Sequence, residues 1–183
     1  MANSLNWEIL DGLPAYGPPA DGFSATGLGK HREGLVVRLH ASGGAWVGNF
    51  QRGLTGYDHV FEHPDGRHVL VVAGGTAYVV DPEQRKLIGH FGGQIEHIFP
   101  LPGEAILLIG NGLWFEALSG KGLKWRSRRI SWDGLRRVVL DGKQLRGEAY
   151  APEGPDGAWY PFELDVETGT VTGGSYYGPP KVL

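Results

Sequence analysis

The sequence predicts an all-β protein of about four antiparallel, blade-like units, each built around a β-hairpin. From residue 35 onward, short apolar runs follow one another, and Gly-containing turns join them in pairs. The pairs are 35–39 with 46–50, 69–73 with 78–80, and 106–109 with 113–118. Apolar runs joined by such turns are typical of hairpins, and no stretch keeps a sustained helical period.

Residues 1–34 differ from the rest of the chain because Pro and Gly are frequent there. Neither residue suits a helix or a central strand. The run 7–10 (Trp-Glu-Ile-Leu) is apolar and needs a place to be buried. We therefore predict that 7–10 pairs with a strand of the body, that 35–183 holds the repeated units, and that 1–183 forms a single domain.

An aromatic residue follows each predicted turn, which extends the repeat to four units. These residues are Trp46, Tyr78, Trp114 and Trp159, separated by 32, 36 and 45 positions. Such intervals suit four-stranded blades of a small or incomplete β-propeller. We predict that the four aromatic side chains occupy equivalent, largely buried positions. A β-sandwich of the same hairpins is the alternative architecture.

Two segments resemble the repeat of quinoprotein-type β-propellers, in which an apolar strand, an Asp, a Thr-Gly turn and a closing Trp recur in each blade. They are 164–171 (Leu-Asp-Val-Glu-Thr-Gly-Thr-Val) and 114–125, which ends on Trp125. The pattern departs at Gly173, where a closing Trp would stand, and at Gln84 and Arg85, where Thr-Gly would stand. The resemblance spans roughly 57–176 and implies blade architecture. We predict no cofactor.

The composition of the chain argues against several classes of function. A net charge of −3 argues against nucleic-acid binding, and the chain has no cysteine for disulfides or thiolate chemistry. No apolar run is long enough to span a membrane, and the first residues lack a secretion-signal pattern. We expect a cytoplasmic protein that acts by binding and does not contact a membrane.

The charges are unevenly placed, since nine of the 17 Lys and Arg residues fall within 121–146, here called the basic arc. Arginine beside aromatic surface is typical of recognition sites. The candidate binding residues are Arg126, Arg128, Arg129, Trp132, Arg136 and Arg137. We expect the partner to be another protein, with an anionic ligand as the alternative, and an incomplete ring could also pair with a second copy of the chain. A solvated sheet edge would give the same composition.

A second candidate site consists of repeat-equivalent residues, namely Asp58 with Glu96 and His59 with His97. If they met in one pocket, they could serve a small hydrolase or isomerase. The same equivalence arises from repeated packing, so we favour a binding protein over an enzyme. His59 and His63 are four residues apart, which does not by itself place two ligands on one ion in a strand and turn. The sequence therefore predicts no metal site.

Overall fold

A computed structural model describes residues 5–27, 32–153 and 156–177. These ranges contain sixteen strands and no helix, which confirms the predicted all-β class. The strands form four sheets of four strands each. They divide between two compact units, Met1–Glu96 and His97–Leu183. Within the described ranges, nothing has the helical length and apolarity needed to cross a membrane.

The first sheet is mixed, with the order β1-β3-β4-β2. Its strands are β1 (Asn6–Leu10), β2 (Asp21–Phe23), β3 (Leu35–Ala41) and β4 (Gly44–Phe50). β2 runs parallel to β4, and the other neighbours are antiparallel. β1 pairs with β3 so that Trp7 lies opposite Leu39. The prediction that 7–10 joins a strand of the body is confirmed.

The second sheet is an antiparallel meander in chain order. Its strands are β5 (His59–Glu62), β6 (Val69–Ala73), β7 (Thr76–Asp81) and β8 (Lys86–Gly92). Every residue of β6 is buried, whereas β8 alternates between more and less exposed positions. A strand buried on both faces reads as a continuous apolar run, which explains the unbroken sequence of β6.

The third sheet repeats the meander with β9 (His97–Pro100), β10 (Ile106–Gly110), β11 (Phe115–Ser119) and β12 (Gly122–Arg126). β11 begins two residues later than the predicted run 113–118. The cause is Asn111, whose Oδ1 accepts hydrogen bonds from the backbone N–H groups of Leu113 and Trp114, both at 3.1 Å. An Asn side chain that binds the backbone in this way holds its neighbours in a turn.

The fourth sheet is again a meander, formed by β13 (Leu135–Asp141), β14 (Gln144–Ala151), β15 (Ala158–Asp165) and β16 (Val171–Gly173). The predicted polar turn lies between β15 and β16. Asp165 Oδ1 accepts hydrogen bonds from the backbone N–H groups of Glu167 and Thr168, at 3.0 and 2.9 Å. These hydrogen bonds form the polar turn that the sequence predicts after β15.

Each sheet contributes one fully buried aromatic side chain from its third strand in spatial order. These residues are Phe50, Tyr78, Phe115 and Phe162. Within each unit two of them meet, because the rings of Phe50 and Tyr78 lie 5.6 Å apart and those of Phe115 and Phe162 lie 6.4 Å apart. Buried aromatic pairs of this kind are a main source of core stability.

Of the four aromatic residues predicted to be equivalent and buried, two are buried, and only Tyr78 belongs to the equivalent set described above. Trp46 and Tyr78 are buried, but Trp114 and Trp159 are only partly buried. Trp114 lies in the Asn111 turn before β11, and Trp159 packs edge to face on Tyr150 at 5.3 Å. In the first, third and fourth sheets, the equivalent core positions are held instead by Phe50, Phe115 and Phe162.

Candidate functional site

Most charges of the basic arc are paired with carboxylates. The ion pairs are Arg126 with Glu116, Arg136 and Arg137 with Glu148, Lys143 with Glu167, and Arg146 with Asp141 and Glu163. Arg126, on β12, also lies 5.4 Å above the Trp114 ring. Exposed pairs of this kind contribute little to stability, but they neutralise the charge that a partner would meet.

Arg136 and Arg137 share a single carboxylate on the neighbouring strand. Glu148 is the cross-strand partner of Arg136, and it accepts from Arg136 Nε at 2.6 Å and from Arg137 Nη1 at 3.3 Å. The hydrogen bond from Arg136 and the two positive charges outweigh partial desolvation and lower the pKa of Glu148 below its usual value. Arg136 also lies 4.0 Å from the centre of the Trp159 ring. Glu148 therefore offsets one of the two positive charges of this arginine pair.

Arg128 and Arg129 have different surroundings, because their guanidinium groups donate to backbone carbonyl oxygens. Arg128 Nη1 donates to the carbonyls of Arg129 and Tyr176 at 2.9 and 3.0 Å, and its Nη2 donates to Gly173. Arg129 Nε donates to Ser131 at 2.8 Å, and its Nη2 donates to Trp132 at 2.6 Å. Within the described residues, neither arginine forms an ion pair with a carboxylate.

Aromatic side chains surround the same two arginines. The Arg129 guanidinium lies 4.5 Å from the centre of the Tyr176 ring and 5.9 Å from that of Trp132. The rings of Trp132 and Tyr176 pack edge to face at 4.8 Å, and Trp132 is 45% exposed. Arg128, Arg129, Tyr176 and Tyr177 line a cavity of about 390 Å³. The cavity thus combines two guanidinium groups with two phenol rings.

The segment that carries Tyr176 and Tyr177 is held in place by one buried serine and one glycine directly before it. Ser175 is 3% exposed, its backbone N–H donates to the carbonyl of Ile130 at 2.9 Å, and its hydroxyl donates to the carbonyl of Tyr150. Gly174 has φ +83°, and a Cβ there would lie 2.7 Å from the Ile130 carbonyl oxygen. Only glycine permits that approach without strain.

Of the residues at this site, the sequence predicted Arg128, Arg129 and Trp132 but not Tyr176 and Tyr177. The sequence signal is the Gly-Gly-Ser-Tyr-Tyr run, 173–177, directly after the last predicted strand. A tight glycine segment followed by two aromatic residues predicts rings held close to a neighbouring backbone. The run does not indicate that the neighbouring backbone is that of Ile130.

The residues of the alternative site have packing and capping contacts. Asp58 accepts a hydrogen bond from the backbone N–H of Gly74 at 2.7 Å and pairs with Arg52 at 2.8 Å. His59, at the start of β5, is exposed and lies between the rings of Tyr57 and Phe61, at 4.6 and 5.8 Å. These contacts account for Asp58 and His59 in the first unit. Glu96, at the end of that unit, is exposed.

His97 opens β9 in the second unit and lies among aromatic rings. Its ring is 6.2 Å from that of Phe99 and 6.3 Å from that of Phe115. Burial lowers the pKa of His97, and a hydrogen bond to the Leu135 backbone acts in the opposite direction. The imidazole therefore favours its neutral form. Its Nε2 atom is buried and has no hydrogen-bond partner among the described residues.

The first unit has a smaller cavity of about 220 Å³, between the Pro-rich N-terminal segment and β4. Tyr16, Arg85 and Trp46 line it, together with several prolines. The Arg85 guanidinium lies 5.8 Å from the centre of the Trp46 ring, and Trp46 Nε1 donates to the Pro82 carbonyl at 2.9 Å. The indole N–H is thus already satisfied within the protein.

The comparison with known proteins adds no family to this description. The chain matches no protein-family model, and a search among curated proteins finds no relative. The class that the observations define is an all-β protein of four-stranded sheets with an arginine and tyrosine cavity in its second unit.

Proposed function

We propose that this protein is a binding module that takes up an acidic segment of a partner protein at Arg128 and Arg129. The observation that carries the proposal is the pair of guanidinium groups held by backbone carbonyls beside the tyrosine-lined cavity. A carboxylate of the partner would form ion pairs with these two side chains, as Glu148 does with Arg136 and Arg137.

The free hydrogen-bond donors support a carboxylate ligand. An arginine side chain offers five N–H donors in a planar fork that matches the two oxygens of a carboxylate. Arg129 uses one donor on Nε and one on Nη2 for carbonyls of the described chain, so three of the five remain. Because these contacts also fix the orientation of the guanidinium, binding would cost little side-chain entropy.

The aromatic rings support a peptide rather than a free ion. Tyr177 is 79% exposed and lies on the cavity beside the arginines. Tyr and Trp side chains supply rigid apolar contact area at protein interfaces, and arginine is enriched there as well. The net charge of −3 disfavours a long polyanion such as nucleic acid, whereas a short acidic peptide needs only a local positive site.

The test compares two double variants that remove the same charge from the two arginine pairs. A fluorescein-labelled Glu-rich peptide is titrated with wild type, with Arg128→Gln/Arg129→Gln, and with the matched control Arg136→Gln/Arg137→Gln, and anisotropy is recorded. We expect the first variant to weaken binding by about tenfold or more, because charge-assisted bonds are lost. The control should bind nearly as wild type does.

A Gln-rich peptide of equal length and a salt series complete this experiment. Wild type should prefer the Glu-rich peptide, and its affinity should fall as NaCl rises. Equal losses in the two double variants would show that binding follows net charge alone, and the proposed site would be wrong. Equal affinity for the Gln-rich peptide would exclude recognition of carboxylates.

We also propose that the four sheets are blade-like units of a small or incomplete propeller. The shared meander order of three sheets and the buried aromatic on each third strand support this architecture. An incomplete ring would leave an end for a second copy of the chain, which light scattering would detect as a dimer. A crystal structure with the sheets stacked in two layers would support the β-sandwich instead.

The enzyme alternative, a small hydrolase or isomerase, has less support. Asp58 is engaged by Gly74 and Arg52, and the neutral His97 ring lies against phenylalanines. A general base must reach the proton that it removes. Neither residue lines either cavity described above.

A further inference from the structure

The hairpin connection between β5 and β6 gathers two imidazoles around one carboxylate. Its sequence, 63–68, is His-Pro-Asp-Gly-Arg-His. Asp65 Oδ2 lies 3.0 Å from His63 Nδ1 and 2.6 Å from His68 Nδ1. One ligand atom from each of the three residues lies within 4.8 Å of the other two. The proposed peptide-binding function does not involve these three residues.

Backbone hydrogen bonds fix the connection that carries the cluster. The N–H of Gly66 donates to the carbonyl of His63 at 2.9 Å, which closes a β-turn with Pro64 and Asp65 at its centre. The N–H of His63 donates to the carbonyl of His68 at 2.9 Å, which joins the two ends of the connection. Because the local backbone sets these positions, the two imidazoles do not depend on long-range packing to meet.

The two carboxylate oxygens of Asp65 have different hydrogen-bond partners. Oδ1 accepts the backbone N–H groups of Arg67 and His68 at 2.9 and 3.0 Å, which orients the carboxylate. Oδ2 faces the two imidazoles. The carboxylate therefore keeps one oxygen on the backbone of the turn and directs the other toward both imidazoles.

A second carboxylate, that of Asp81, lies near the other ring nitrogen of His68. Asp81 is 2% exposed, and its Oδ2 lies 3.9 Å from His68 Nε2. In metal sites, a ligating histidine commonly turns its second ring nitrogen toward such a carboxylate, which fixes the ring and strengthens the ligand. Arg67 holds Asp81 Oδ2 at 2.8 Å and so keeps this outer carboxylate in place.

We propose that His63, Asp65 and His68 bind a divalent first-row transition metal ion of the Zn²⁺ type. Imidazole nitrogens select such ions over Mg²⁺ and Ca²⁺, which require more oxygen ligands. Metal bonds of about 2.0–2.2 Å in a tetrahedral site separate ligand atoms by about 3.4 Å. The two N–O distances would therefore need to open by less than about 1 Å. A water molecule would take the fourth position.

The test uses protein from which any polyhistidine tag has been cleaved, stripped with a chelator and exchanged into chelator-free buffer. ZnCl₂ is titrated calorimetrically into wild type, His63→Gln/His68→Gln, and a matched control, His40→Gln/His59→Gln. Both histidines of the control are exposed, and each double variant keeps five of the seven histidines. Wild type and control should bind one equivalent, and the first variant should lose at least about 100-fold in affinity.

Asp65→Asn provides a second variant that keeps the turn, because the amide oxygen can still accept the two backbone N–H groups. It should bind Zn²⁺ at least about tenfold more weakly than wild type. X-ray absorption at the zinc edge should show two imidazoles. The proposal is wrong if wild type shows no saturable binding, if the His63→Gln/His68→Gln variant binds as tightly as the control, or if the bound zinc has fewer than two imidazole ligands.

Discussion

Two arginine pairs of the second unit, Arg128 with Arg129 and Arg136 with Arg137, have the same composition but opposite electrostatic surroundings. Each pair places one guanidinium over an aromatic ring, at 4.5 Å for Arg129 over Tyr176 and at 4.0 Å for Arg136 over Trp159. Glu148 pairs with both arginines of the second pair and offsets one of their two positive charges, whereas the first pair is held by backbone carbonyls.

The difference follows from where each pair lies in the fold. Arg136 belongs to a paired strand, so the neighbouring strand presents Glu148 opposite it, and Arg137 follows in a bulge of the same strand within reach of the same carboxylate. Arg128 and Arg129 belong to the irregular segment between β12 and β13, where carbonyl oxygens are not all used by a ladder. Arginines in this segment donate hydrogen bonds to those carbonyl oxygens, and because a carbonyl carries no net charge, the positive charge of the guanidinium is not offset.

The largest expected effect comes from Gly174→Ala, which acts on the support of the Arg128 and Arg129 site. The added Cβ would meet the Ile130 carbonyl oxygen at 2.7 Å in a residue with φ +83°. We expect the free energy of unfolding to fall by about 2 kcal/mol or more, measured by urea denaturation. Binding of the Glu-rich peptide should weaken because Tyr176 moves.

Gly142→Ala is the matched control for that substitution. Gly142 has φ +58° with no atom within 4 Å of the added Cβ, so it reports backbone strain alone, about 1 kcal/mol. If both variants lost the same stability, the close approach of Gly174 to Ile130 would contribute nothing to the site.

Glu148→Gln removes the feature that separates the two arginine pairs. Arg136 and Arg137 then lack their carboxylate, and the second unit gains an uncompensated pair. We expect the affinity for the Glu-rich peptide to rise by about two- to fivefold at low salt, measured by anisotropy. The triple variant Arg136→Gln/Arg137→Gln/Glu148→Gln should return to the wild-type value. An unchanged affinity in Glu148→Gln would mean that the location of the arginines matters more than their pairing.

The smallest expected effect is the pH dependence of stability contributed by Glu148. Its pKa is lower in the folded protein than the usual 4.5. A carboxyl group with a depressed folded-state pKa stabilises the protein above its unfolded-state pKa, and this contribution is lost as pH falls. The melting temperature of wild type should therefore exceed that of Glu148→Gln at pH 7, and the two should converge in acid. A gap that persisted at low pH would point to packing rather than charge.

The sequence predicted the hairpins well, because glycine turns and apolar runs are local signals. The strand at 7–10 was also predictable, since its apolar residues need burial. The start of β11 was not, because the Asn111 side chain competes for the N–H groups of Leu113 and Trp114. Because of the Asn111 side chain, Trp114 lies in a turn, whereas the repeat pattern predicted it within the strand.

The candidate site was predictable only in composition. Charge counting located the basic arc, but it could not assign a partner to each arginine. The carbonyl of Tyr176 that binds Arg128 lies 48 residues away along the chain. Such contacts depend on the return of the chain after β16, which no local pattern specifies. His63, Asp65 and His68, by contrast, lie within six residues of one another, and the geometry of one turn is enough to bring them together.

In the core of the second unit, two glycines each leave room for a buried phenylalanine ring on the neighbouring strand. Gly110 lies opposite Phe115, and Gly147 lies opposite Phe162. A Cβ on either glycine would come within 2.4 or 2.8 Å of the facing ring. Substituting one member of a pair would therefore force the other to move, whereas a joint change that conserves the summed volume of the two residues is tolerated better. Redesign of this core must treat each glycine and its phenylalanine as one mutational unit.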